Sequence, residues 1–282
     1  MADTDVPLRN HLLAALPENE YARLSAHLER VWLSPGEVLH ESGRPLQHVY
    51  FPTTAIVSLL YIMEDGAAAE IAAIGNEGMV GVALVMGGDT MPNRAMALCA
   101  GTAYRLNYRL LMNAINRTGG RRTGTLQHLL LRYAQALITQ MSQNAACNRH
   151  HSMEQQLCRW LLSCLDRSPS NELTMTHELI ANTLGVRREG ITVAAGRLQH
   201  EGLISYRRGH ITVLDRAGLE KRACECYQTV KTELDRLLPC ADDDRVAAAA
   251  SNRRSTPLCI SPMNTKPHGS SGPAQERYRI MH

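Results

Sequence analysis

The chain has 282 residues, enough for two domains that each bury a core, which excludes a disulfide-stapled mini-protein. Hydrophobic residues make up 44% and charged residues 20%, ordinary globular usage that argues against a wholly disordered, collagen-like or long coiled-coil chain. Aromatics are only 4%, too few for extended stacking platforms on single-stranded nucleic acid, and the formal charge of +3 suits a nucleic-acid partner only if it is concentrated in one region.

The opening stretch, MADTDVPLRNHLLAAL, lacks the basic segment and apolar core of a secretory signal, and no run approaches 18 apolar residues. A cytoplasmic protein without membrane contact is therefore expected. Eight cysteines occur without a C-x-x-C pair and read as reduced thiols rather than a disulfide framework, buried structural Cys being the default. Residues 8–28 read as helical. From 31 to about 106 the pattern changes to short β-rich runs: WLSPGEVLHESGRPLQHVYFP sets Pro35-Gly36 and Gly43 between apolar runs, AIVSLLYIM is rich in β-branched residues, and AEIAAIG ends at a glycine. Regularly spaced short strands predict a sandwich or barrel-like roll.

After the breaker Thr118-Gly119-Gly120 the period becomes helical over residues 121–146. Leu126, Leu130, Tyr133, Leu137 and Met141 recur at steps of three and four. Leu129 and Ile138 widen this stripe, so the helix can face both its own domain and a partner copy. The first reading takes the five-residue stripe as a dimer seam; the alternative is an ordinary core helix. A second amphipathic helix follows over 154–165, closed by turn residues 166–171.

The most informative segment is LTMTHELIANTLGVRREGITVAAGRLQHEGLISYRRGHITVL. Thr176 is a suitable N-cap for a helix containing Leu179, Ile180 and Leu184, and Gly185 suits a tight turn. A second helix over 187–202 turns Ile191, Ala195 and Leu198 inward. Arg188, Glu189 and Thr192, with Gln199 as a further candidate, then point outward, and near the helix N-terminus Arg suits guanine, a carboxylate suits cytosine N4 and Thr offers a hydroxyl or methyl contact in the major groove. Gly190 and Gly196 on this helix suggest close approach to a partner, or close packing of the first helix. Two strand-like runs flank Arg207-Arg208-Gly209-His210, a basic hairpin tip. Residues 173–222 hold eight Lys/Arg against five acids, so this one unit matches the whole chain's excess. Thr176, Arg187, Arg207 and Arg208 are the expected phosphate contacts.

This tandem of β-roll, long helix and winged helix-turn-helix resembles the family of the catabolite activator protein and the fumarate-nitrate regulator (Crp/Fnr) over about residues 15–225. The resemblance rests on Pro35-Gly36-Glu37-x-Leu39 followed by Gly43, on Ile74-Gly75, and on the ungapped stretch 176–204. It implies an α+β chain: a cyclic-nucleotide-binding-like sensor over 1–120, a dimerisation helix over 121–147, a winged helix-turn-helix over 148–225 and a disordered tail over 239–282. It also implies a homodimeric regulator reading a palindromic site in double-stranded DNA under an unidentified small-molecule effector, with RNA polymerase as a further partner. Arg188 and Glu189 fall on the family's base-reading positions and Thr192 on a polar contact position. Val193 departs from the Arg found there in both branches.

In the family's effector cassette, Gly-Glu precedes a short helix and Arg-Ser or Arg-Ala follows it. The corresponding residues here are Gly75, Asn76, Arg94 and Ala95, and Asn76 lacks the carboxylate that accepts from a ribose hydroxyl. The alternative for Arg94 is a solvated residue opening a strand. The oxygen-sensing branch's N-terminal cysteines are absent, the first cysteine being Cys99, so no iron-sulfur ligand set is present. Cys147, His150, His151 and Cys158 have zinc chemistry without a zinc spacing, and Cys224-x-Cys226 is spaced against a redox pair. Neither a metal nor a cofactor is expected. With no P-loop, G-x-S-x-G or H-E-x-x-H, the chain does not read as an enzyme. The competing function is an effector-sensing or protein-interaction module whose winged helix does not bind DNA.

Overall fold

The computed structural model describes residues 7–117, 124–168 and 170–238. The breaker at 118–120, the first residues assigned to the long helix and the tail over 239–282 lie outside them. Among the described residues no helix is long and apolar enough to cross a membrane. The N-terminal stretch is divided rather than continuous: α1 (His11–Ala14) is capped by the Asn10 side chain, and α2 (Glu18–Ser25) begins after Pro17. Pro17 supplies no backbone N–H and fixes its own φ, so the chain restarts there instead of continuing one helix.

The roll is built from two antiparallel sheets. One has the order β1 (Glu29–Leu33), β7 (Gly101–Asn107), β3 (His48–Pro52); the other runs β2 (Val38–His40), β6 (Arg94–Cys99), β4 (Ile56–Ile62), β5 (Ala68–Ile74). Leu33, Val49, Phe51, Leu59, Ala72, Ala95 and Leu106 fill the space between them, each at most 1% exposed. The small residues Ala72, Ala95 and Ala97 let the four-stranded sheet pack closely with few aromatics. The mixed α+β architecture implied by the resemblance is the one observed.

Helix α3 (Tyr108–Arg117) leads towards α4 (Thr125–His150), which spans 26 residues. Here the seam assignment needs correction. Leu126, Leu130, Tyr133 and Leu137 are buried in their own chain, and Met141 is half-buried against the same core. Polar groups fix that orientation: the Tyr133 hydroxyl donates to Met79 O, Gln140 Nε2 to Ala73 O and Asn144 Nδ2 to Ile71 O. The roll offers this stripe a large apolar surface within the same chain and accepts its buried hydrogen-bond donors. The opposite stripe, His128, Leu131, Gln135, Ile138, Ser142, Ala145 and Arg149, is exposed and alternates steps of three and four.

A capping box between Ser152 and Gln155 starts α5 (Met153–Leu165). Beyond it come β8 (Glu172–Thr174), α6 (His177–Leu184), α7 (Arg188–His200), β9 (Ile204–Arg207), β10 (His210–Val213) and α8 (Arg216–Arg222), with the small sheet ordered β8, β10, β9. A further helix, α9 (Glu225–Leu237), lies against α4, where Leu234, Leu237 and Leu238 join the roll's core. It lies largely beyond the organisation read from the sequence, although Tyr227, Val230, Leu234 and Leu237 carry a legible step of three and four.

Candidate nucleic-acid interface

Two helices and a hairpin build the exposed basic surface. The Thr176 hydroxyl oxygen accepts from Leu179 N at 3.1 Å and caps α6. Gly185 then takes φ +67°, a left-handed conformation that costs other L-residues energy, and the chain enters α7 at Arg187. Ile180, Leu184, Ile191, Ala195 and Leu198 pack inward with Trp160 and Leu161 of α5. Burying that face leaves Arg187, Arg188, Glu189, Thr192, Val193 and Gly196 exposed on one side of α7.

The wing is a two-residue hairpin. Arg207 pairs with His210 in the β9–β10 register, and Arg208 (φ +50°) and Gly209 (φ +83°) form the loop between them. Two consecutive positive φ values match the twist of the flanking strands. The turn projects the Arg207 and Arg208 side chains, both exposed, beside the α7 surface.

Ion pairing divides the unit's cations into two sets. Arg216 is held by Asp166 and Glu220, while Arg222 is held by Glu154 at 2.6 Å and Glu201 at 2.5 Å. These pairs tie α8 to the helices beside it. Arg187, Arg188, Arg207 and Arg208 have no acidic partner among the described residues. Among the described residues, the four arginines expected from the sequence to meet DNA are thus uncompensated.

His177 and Tyr206 shape this surface without having been selected as contacts, and Gln199, a further outward residue of the second helix, lies with them. The His177 ring stacks on Tyr206 with centroids 4.0 Å apart, and its Nδ1 lies 3.1 Å from Thr192 Oγ1. Burial, and secondarily the neighbouring Arg188 charge, hold its pKa below the ordinary histidine value and so favour the neutral ring. Thr192 also donates to Arg188 O at 3.0 Å. Gln199 Oε1 accepts from Tyr206 N at 2.8 Å, fastening the wing to α7. Stacking between α6 and β9 joins residues far apart in sequence; a His immediately after a helix cap was the only local signal.

The effector residues do not converge. Arg94 lies opposite Leu60 in β6, while Gly75 follows Ile74, which lies opposite Val57 at the other end of β4. Arg94 pairs with Glu41 at 2.8 Å on the surface, and Ala95 is fully buried in the roll. Gly75 sits beneath Arg167, whose Cγ would be 2.6 Å from an added Cβ, and Asn76 contacts His11 Nε2 at 3.2 Å. The short helical turn before Arg94, Val82–Leu84, begins at Gly81, so the residue after that glycine is the buried, apolar Val82. Two glycine-containing turns separate β5 from β6, so spacing along the chain does not by itself pair Gly75 with Arg94.

The zinc-type residues also regroup. Cys158 belongs to the core around α5, and His150 is exposed, whereas Cys147 and His151 meet Cys224 and Cys226.

Comparison with known proteins agrees with this order of parts. A cyclic nucleotide-binding domain model matches residues 30–118, and a Crp-like helix-turn-helix domain model matches residues 155–222. The transcriptional regulator LdrP of Thermus thermophilus is 26% identical over 174 residues, covering 58% of this chain and 87% of that protein. FixK2 from Bradyrhizobium japonicum has a TM-score of 0.60 at 15% identity, covering 70% of this chain and 98% of that one. The solved structure of a CRP-family transcriptional regulator from Thermus thermophilus gives 0.56 at 19% identity, covering 69% and 96%. The two solved structures show a shared fold, and the two family models fall in the same order on sensor roll and winged helix. The chain belongs to the Crp/Fnr family of transcriptional regulators.

Proposed function

We propose that the protein reads a palindromic double-stranded DNA site as a homodimer, inserting α7 into the major groove of each half-site. The observation that carries this reading is the set of four exposed arginines, Arg187, Arg188, Arg207 and Arg208, left without acidic partners among the described residues while the unit's other arginines are paired. Arg188, Glu189 and Thr192 are the base-reading residues. Thr176, Arg187, Arg207 and Arg208 meet phosphate. Val193, 55% exposed, adds an apolar contact suited to a thymine methyl.

Homodimerisation follows the exposed stripe of α4. Leu131 and Ile138, 44% and 52% exposed, lie seven residues apart with Gln135 and Ser142 completing a heptad spacing. Two-fold pairing there suits a palindromic site. The sensing role of the roll remains part of the proposal, with an effector distinct in its contacts from a cyclic nucleotide held by Gly75, Asn76, Arg94 and Ala95. Selection of bound sites from a random duplex pool by the full chain, followed by gel shift, tests the reading. The expected result is an inverted repeat with half-sites about one helical turn apart; recovery of no enriched sequence would overturn sequence-specific reading.

A further inference from the structure

Cys147, His151, Cys224 and Cys226 come together where α4 ends and α9 begins. Their four ligand atoms all lie within 4.8 Å of one another. Cys147 is in the last turn of α4, and His151 is its C-cap, with its backbone N–H bonded to Cys147 O at 3.0 Å. Cys224 is the N-cap of α9, and Cys226 lies in that helix's first turn. Each helix end therefore contributes two ligands, which explains how residues without a sequence-local zinc spacing make one cluster.

We propose that these residues form a closed tetrahedral site for one zinc-class divalent ion, which fastens the start of α9 to the end of α4. The Cys147 and Cys224 sulfurs are 3.5 Å apart, and the Cys226 sulfur is 3.6 Å from His151 Nδ1. Tetrahedral zinc with ordinary Zn–S and Zn–N bonds sets such separations at about 3.8 Å and about 3.6 Å. Glu225 supplies the outer partner: its Oε1 lies 3.2 Å from His151 Nε2. A proton on Nε2 shared with that carboxylate leaves the Nδ1 lone pair aimed at the thiols, the arrangement that orients a ligating imidazole. Three thiolates and an imidazole, with no position left for substrate, suit a structural zinc-class ion rather than calcium or magnesium. The thiols are at most 4% exposed, while the His151 side chain retains 17%, giving an ion access from one side. The segment between the two ligand pairs contains α5, the helix-turn-helix, the wing and α8. An ion here closes that whole DNA-binding unit into a loop anchored on α4.

The test uses the full chain, reduced and stripped of metal, titrated with cobalt(II) and then zinc(II). One cobalt per chain is expected, with the visible bands of a tetrahedral site, thiolate charge transfer, and displacement by zinc. Cys226→Ser and His151→Asn should abolish stoichiometric uptake, Glu225→Ala should weaken zinc about 10-fold or more, and Cys164→Ser should bind like the parent. Circular dichroism verifies that the variants fold; if a ligand variant does not, the titration of the parent chain decides alone. Failure of the reduced parent to take up cobalt or zinc at one per chain would overturn the site, as would unchanged uptake by folded Cys226→Ser. So would a Cys147–Cys224 disulfide that persists in reductant. DNA binding is not the readout, so these outcomes leave the reading of α7 independent.

Discussion

Arg208 adopts φ +50°, the positive-φ conformation that glycine occupies at the neighbouring Gly209. For an L-residue this costs about 1 kcal/mol, and Asn-Gly is the pair that such a hairpin turn favours. A strained arginine at a wing tip is accounted for if its charge meets phosphate. Arg208→Asn should therefore raise stability by about 0.5–1 kcal/mol in denaturant unfolding, while weakening binding to all DNA sequences and making the salt slope shallower by about one charge. Gain of stability without loss of DNA affinity would remove Arg208 from the interface. Arg188 is proposed for the other kind of contact, base reading: Arg188→Ala should cost about 1–3 kcal/mol on the selected site and relax one position of each half-site. Site selection with the variant checks this; an unchanged motif would mean that Arg188 does not read bases. The exposed placing of both arginines was legible in the sequence because the signals are local: a capping Thr176, a turning Gly185 and apolar steps of three and four for Arg188, and two strand-like runs around Arg208-Gly209 for the wing tip. His177 was not legible as part of this surface, because its place depends on stacking against Tyr206 across the small domain.

At the scale of elements, α4 shows how far periodicity reaches. The helix was evident, but apolar residues on more than one face left the choice of partner to tertiary structure. The roll takes Leu126, Leu130, Tyr133 and Leu137 and leaves Leu131 and Ile138 exposed, the stripe proposed to meet a second copy. Replacing both Leu131 and Ile138 by Asp should give monomers in sedimentation and weaken binding to a palindrome, while the roll stays folded. The same change at Leu130 and Leu137 should unfold the chain, since it buries charge in the roll's core. Dimers persisting in the Leu131/Ile138 variant would place the interface elsewhere. On α7, nothing lies within 4 Å of the point where a Cβ on Gly196 would sit, so internal packing does not require glycine there. Gly196→Ala should stabilise the helix by about 0.5–1 kcal/mol. If the backbone approaches the groove, as proposed, the added methyl also lowers DNA affinity; unchanged affinity in a gel shift would show that α7 stands off at that point. α9 shows the opposite limit: its steps are readable, but its packing partner lies about 100 residues away along the chain, a pairing no local pattern encodes.

Across the whole molecule, the DNA-binding unit and the roll share a core: Ile56, Ala73 and Leu98 of the sheet pack in one cluster with Trp160, Leu161 and the inner faces of α6 and α7. Two acids lie at this junction, Glu70 buried and Glu77 partly exposed. Glu77 pairs with Arg167 at 2.8 Å, whereas Glu70 is tied by neutral groups, its Oε2 to Ser58 Oγ at 2.5 Å and its Oε1 to Trp160 Nε1 at 3.3 Å. Burial is the largest influence on Glu70 and raises its pKa, while Ser58, Arg159, Arg167 and Trp160 oppose it. A carboxyl with a raised folded-state pKa binds more protons folded than unfolded. Its destabilisation is therefore absent below the ordinary carboxylate pKa, grows as pH rises, and is complete above the folded-state value. Glu70→Gln removes this titration and preserves both contacts, since its carbonyl accepts from Trp160 and its amide donates to Ser58. The variant should melt at a higher temperature than the parent at pH 8, with the difference shrinking towards pH 4 in a series of calorimetric scans. A difference independent of pH would mean that Glu70 does not titrate between the two states. A lower melting temperature at pH 8 would mean that the carboxylate is held ionised, with the Arg159 and Arg167 charges outweighing its burial.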